Sequence, residues 1–69
     1  MKKYLVIFEK ASDNLSAYSP DLPGCIATGG TREEAKENIR AAIALHINGL
    51  REDGLPIPES ASFIEYVEV

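Results

Sequence analysis

The side chains able to do chemistry are few. The sequence holds one thiol, Cys25, and one imidazole, His46, and Asp21 stands shortly before the thiol, so a nucleophile, a base and an orienting acid can be written down. Such a triad works only beside preorganised donors for a developing oxyanion and inside a cleft that holds substrate. Nothing in the sequence supplies the donors, and a single layer of sheet in so short a chain offers no deep cleft. His46 falls in the middle of an apolar helical stripe, which predicts a core or half-buried histidine with one hydrogen bond. Cys25 reads as a small buried hydrophobe.

Metal chemistry has no better footing. Mg²⁺-assisted phosphoryl transfer needs several converging oxygens. The acids are instead spread out: Glu33 and Glu34 at a helix start, Glu37 on its solvent side, and Glu9, Glu65 and Glu68 on strands. One cysteine and one histidine exclude a zinc cluster. Gly29 and Gly30 precede the helix, but neither GxGxxG nor GxxxxGK[ST] surrounds them and two glutamates follow, so they read as a strand-to-helix turn. The expectation is no catalytic residue, no metal and no cofactor.

Five elements must position these groups. Residues 3–10 (KYLVIFEK) alternate Tyr4, Val6 and Phe8 on one face with Leu5 and Ile7 on the other, the pattern of a strand buried on both sides. Turn formers at 11–14 (ASDN) lead into a second strand over 15–19, which stops at Ser19-Pro20 because proline lacks an N–H and restricts its predecessor. Residues 21–24 (DLPG) fit a type II turn, and a third strand over 25–28 ends at Gly29. Thr31 and Glu34 form a capping box, in which the hydroxyl accepts from the Glu34 N–H and the carboxylate reaches back to Thr31.

Ala35, Ile39, Ala42, Ile43, His46 and Leu50 share one helical stripe. The helix should end near Glu52 or Asp53, with Gly54 as its left-handed cap and Pro56 and Pro58 barring continuation. A connector over 55–62 and a last strand over 63–69 (FIEYVEV) complete a βββαβ order, an α+β sandwich of two layers. A right-handed crossover that lays the last strand beside the first gives a four-stranded sheet of order 3-2-1-4.

A single domain is all that 69 residues accommodate. One core of this size seldom supplies more than about 3–5 kcal/mol, and a lone cysteine allows no disulfide within the chain. Self-association as a dimer or tetramer is therefore expected. A helix of about 21 residues, roughly 30 Å long, outruns strands of about 20 Å. Ala41 and Leu45 on its flank, with Val67 on the last strand, are the candidate oligomer contacts. The longest apolar run, from Tyr4 to Phe8, is too short for a bilayer span or a signal-peptide core. A cytoplasmic protein without membrane contact is expected.

The net charge is −4, and after Arg51 the sequence carries Glu52, Asp53, Glu59, Glu65 and Glu68 with no Lys or Arg. That balance opposes direct nucleic-acid binding, which relies on basic side chains. It would attract a basic protein. Asp21 and Leu22 in the proline-rich turn, with Glu59, Glu65 and Glu68, are the candidate contacts.

Three stretches are more specific. They are Ala17-Tyr18-Ser19-Pro20-Asp21-Leu22-Pro23-Gly24-Cys25, then Gly29-x-Thr31-x-Glu33-Glu34-Ala35-x-x-Asn38-Ile39-x-x-Ala42-Ile43, then Asp53-Gly54-x-Pro56-Ile57-Pro58. Together they resemble the HicB family of antitoxins over nearly the whole chain. The resemblance implies a βββαβ domain like a degraded ribonuclease H fold whose metal-binding carboxylates are lost. It also implies a partner, HicA, a small basic mRNA interferase of double-stranded-RNA-binding-like fold whose active site the antitoxin covers.

Longer members of the family continue into an operator-binding domain, and a sequence ending at Val69 leads us to expect none. The sequence departs from the family pattern at Asn14-Leu15, where a glycine and an aromatic are usual. Ala41 stands for a common Glu, His46 for a frequent aromatic and Ser60 for a common Pro. The function so implied is neutralisation of a HicA-type toxin in a type II toxin–antitoxin system. Two alternatives stand beside it: an orphan homo-oligomeric scaffold without a toxin, and a small hydrolase using Cys25 and His46.

Overall fold

A computed structural model describes residues 2–69 and contains β1 (Ile7–Lys10), β2 (Leu15–Tyr18), β3 (Ile26–Gly29) and α1 (Arg32–Glu52). The strands form one antiparallel sheet of order β1-β2-β3. In the first hairpin the Ala11 N–H donates to the Asn14 carbonyl at 2.8 Å, closing the turn that Asp13 and Asn14 favour. The register pairs Ile7 with Tyr18 and Lys10 with Leu15. Pairing therefore begins at Ile7 rather than at Lys3, because β2 runs out one residue before the Ser19-Pro20 turn and leaves residues 3–6 without an opposite strand. On the other side of β2, Leu15 pairs with Gly29 and Tyr18 with Ile26.

Two successive turns join β2 to β3. The Leu22 N–H donates to the Ser19 carbonyl and the Cys25 N–H to the Leu22 carbonyl, both at 3.1 Å. Gly24 takes φ 84°, the left-handed position a type II turn requires. Gly29 meets a different demand: a Cβ there would lie 2.4 Å from the Ala35 nitrogen, so β3 and the start of α1 approach closely only over a glycine. Asn38 fastens the same contact by donating to the Thr28 carbonyl at 2.7 Å.

The Thr31 hydroxyl accepts from the Glu34 N–H at 3.1 Å, while the Glu34 carboxylate accepts from the Gly30 N–H at 2.7 Å, one residue before the expected Thr31. At the other end the Gly54 N–H donates to Arg51 at 3.1 Å and the Leu55 N–H to Leu50 at 2.9 Å. With Gly54 at φ 67°, this is a Schellman cap, and the helix stops where Gly54 and Pro56 stop it.

The core is Ala17, Leu22, Cys25 and Ile39, with Tyr4, Val6, Phe8, Ala27, Ala42 and Ile43 packed partly buried against it. Both fully buried helix residues, Ala35 and Ile39, lie in the first half of α1. The 21-residue helix overhangs strands of four residues, and Leu45 beyond the core is 76% exposed. α1 lies across β3 and β2 and leaves β1 with little cover.

The four-stranded order 3-2-1-4 is corrected to a three-stranded α+β fold, because residues 63–69 join no ladder. A strand is formed by a neighbouring edge, and the chain is tied elsewhere just before this segment begins, as described below. Phe63 and Tyr66 stand 80% and 96% exposed. The radius of gyration, 13.2 Å, accordingly exceeds the roughly 11 Å of a compact domain of this length.

Candidate functional site

The residues suited to covalent chemistry do not come together. Cys25 is buried in the core, and burial pushes its thiol up from the ordinary value, away from the thiolate a nucleophile needs. His46 is half-buried on the overhang of α1, two turns or about 10 Å beyond Ile39. Among the described residues no three of His, Cys, Asp or Glu gather where a metal could bind.

Asp21 serves a different purpose. Its Oδ2 accepts from the backbone N–H groups of Ala61 at 3.2 Å and Ser62 at 3.1 Å, and its Oδ1 accepts from the Ser62 hydroxyl at 2.9 Å. The Ser62 N–H contributes most to holding the Asp21 carboxyl below its ordinary value, with the Ser62 hydroxyl and the Ala61 N–H adding to it against partial desolvation. The proline-rich turn thus captures the chain from the far side of the sequence. Leu22, expected as an exposed contact, is fully buried; the two successive turns fold its side chain into the core, and it is removed from the contact residues.

Two further ties hold the connector. The Tyr4 hydroxyl donates to the Pro58 carbonyl at 2.7 Å, and Lys2 lies 4.0 Å from Glu59 as an exposed pair. A solvated pair of that kind stabilises little. Beyond Ser62 the chain becomes an arm on which Glu65 and Glu68 are exposed and Val67 is 78% exposed. Ala41 and Leu45 are exposed on the outer flank of α1.

One feature escaped the sequence reading. Where α1 leaves β1 uncovered, a groove runs between them with Tyr4, Val6, Phe8, Ile39 and Ile43 along its floor. Its rim is basic, formed by Lys2 and Lys3 from one end of the chain and Lys36 and Arg40 from the helix. Lys36 and Arg40 share a helix flank by their i, i+4 spacing, which was visible. Their meeting with Lys2 and Lys3 depends on where α1 sits over the sheet.

The family described as HicB_like antitoxin of bacterial toxin-antitoxin system matches residues 4–69. An uncharacterized 14.9 kDa protein from the rep-hol intergenic region of Haemophilus phage HP1 is 38% identical over 64 residues, covering 93% of this chain and 48% of the phage protein. A UPF0150 protein of Synechocystis is 36% identical over 67 residues, covering 96% of this chain and 85% of that protein. Among solved structures, a chain of the HicA3 and HicB3 toxin-antitoxin complex is similar with a TM-score of 0.70 and 33% identity, over 80% of this chain and 64% of that one. The chain thus spans about half the length of the phage relative and under two thirds of the solved chain. The match from the first strand through the exposed arm shows that this chain belongs to the HicB-like antitoxin family of bacterial toxin–antitoxin systems.

Proposed function

We propose that the protein is a cytoplasmic antitoxin that binds a HicA-type mRNA interferase, neutralises it by covering its active site, and catalyses nothing itself. The observation that carries this reading is the family match over residues 4–69, joined to the likeness to a chain of the HicA3 and HicB3 complex. Charge supports it: Glu59, Glu65 and Glu68 are exposed on a stretch without Lys or Arg, and a basic toxin is the complementary partner. Of these, Glu59 and Glu68 are the proposed contacts. Asp21 acts through them, by fixing the point from which the arm departs. The reading keeps the kinship with a degraded ribonuclease H fold, in which scattered carboxylates belong to a protein that binds rather than cuts.

The test is coexpression with a HicA-type toxin, which should restore growth and yield a complex on purification. Growth arrest without a complex would remove the proposal. Replacing Glu59 and Glu68 together by Gln should slow association several-fold and flatten its salt dependence while dissociation changes little, since rim charges steer encounter. Unchanged association and salt slope would remove the acidic contacts from the interface.

A further inference from the structure

The geometry points to an exchange of arms between two copies of this chain: we infer that residues 63–69 of one copy add as a strand to the open edge of β1 in the other, over the basic groove. Four observations converge. The arm has the composition of a strand but no ladder, and Phe63, Ile64, Tyr66 and Val67 are 65–96% exposed. Among the described residues β1 has β2 on one side and no strand on the other, and residues 3–6 ahead of it pair with no strand. The groove beside that edge has an apolar floor and a rim of Lys2, Lys3, Lys36 and Arg40, while the arm carries Glu65 and Glu68 and no basic residue. Extended, the seven residues span about 23 Å, enough to lie along β1 and the residues 3–6 ahead of it.

The arm does not serve its own edge. Pro58 and Glu59 are tied to Tyr4 and Lys2, and Ala61 and Ser62 to Asp21, so a return to its own β1 needs a reversal after Ser62. FIEYVEV contains no Gly, Pro, Asn or Asp to make one. A second copy meets no such obstacle, and twofold symmetry lets each arm fill the other's groove at once. The face with Phe63, Val67 and Val69 is the more apolar and turns to the groove floor, bringing Glu65 toward Lys36 and Arg40. Glu68 falls on the opposite face and stays in solvent. The exchange gives each sheet a fourth strand beside β1, supplied from outside the chain, and closes an edge that would otherwise pair indiscriminately.

Sedimentation of the full chain at tens of micromolar should give twice the 7.5 kDa chain mass. Glu65→Lys alone should return it to monomer, as should Lys36→Glu combined with Arg40→Glu. Mixing the two variants should restore a dimer, because each arm then meets a groove of opposite charge. Glu68→Gln should leave the dimer constant within about twofold. Amide exchange on each variant should show the β2, β3 and α1 core, which the arm does not enter, protected as in the unsubstituted chain. A monomeric wild-type chain would overturn the inference. So would a dimer that survives both charge reversals or is broken by Leu45→Glu instead, and so would failure of the mixture to reassociate.

Discussion

Residues 3–10 and 63–69 are written in almost the same way, aromatic and β-branched side chains interrupted by charges, yet the first lies in a sheet from Ile7 onward and the second lies in solvent. Their side chains do not explain the difference. β1 finds its partner immediately downstream through a four-residue turn, so closing the loop costs little entropy and the hairpin aligns itself. For the arm, the edge of β1 lies some fifty residues upstream, and the ties to Tyr4, Lys2 and Asp21 commit the chain before the arm begins. A strand pattern states a need for an edge and does not provide one.

The sharpest way to break this comparison is to weigh the two halves energetically. Ile39→Ala removes a fully buried side chain between sheet and helix and should destabilise the fold by about 3 kcal/mol in denaturant titration. Phe63→Ala, measured in dilute protein, should change it by less than about 0.5 kcal/mol. Similar losses at both positions would mean that the arm is packed after all.

Gly29→Ala tests the contact that seats α1 on β3, where the new Cβ would meet backbone atoms that cannot step aside. Overpacking of this kind should cost about 2 kcal/mol. A neutral result would show that the helix can lift off the sheet, and with it the placement of the groove would loosen. Thr31→Ala leaves the Glu34 N–H without its cap and should cost about 1 kcal/mol, confined to the helix start.

The smallest effect belongs to the anchor of the arm. The Asp21 carboxyl titrates below the ordinary 3.8 because the ionised form accepts three hydrogen bonds from residues 61–62. A folded value held lower than the unfolded one means that the tie is complete above the ordinary value and is lost as pH falls through the lowered one. Amide shifts of Ala61 and Ser62 should therefore stay constant through neutral and mildly acid pH and move together only below 3.8, with the core unchanged. Asp21→Asn should produce the shifted positions at every pH. Movement near neutrality would assign the tie to another group.

Much of this molecule was legible because its signals are local. The hairpin turn, the type II turn at Gly24, the Thr31 cap and the Gly54 stop each rest on residues a few positions apart, and each stands in the structure near its expected place. The stripe through Ala35 and Ile39 marked the core face of α1 correctly, and its later members His46 and Leu50 are only half-buried because the four-residue strands end before the helix does. The site residues fared differently. Leu22 looked like a turn residue open to a partner, and Asp21 looked like a free charge.

What the sequence determined by itself is therefore the first three strands and the helix, the caps of that helix, the acidic balance of the last quarter and the family, all of which depend on short spacings or on sums over residues. Only the tertiary structure decided that Leu22 turns inward and that Asp21 holds residues 61–62. It also decided that Lys2 and Lys3 meet Lys36 and Arg40 around one groove, and that residues 63–69 leave the body of their own chain. Each of these depends on which distant segments meet, and that is settled by a competition among hydrogen-bonded ties, helix placement and free edges across the whole chain, which no local spacing encodes.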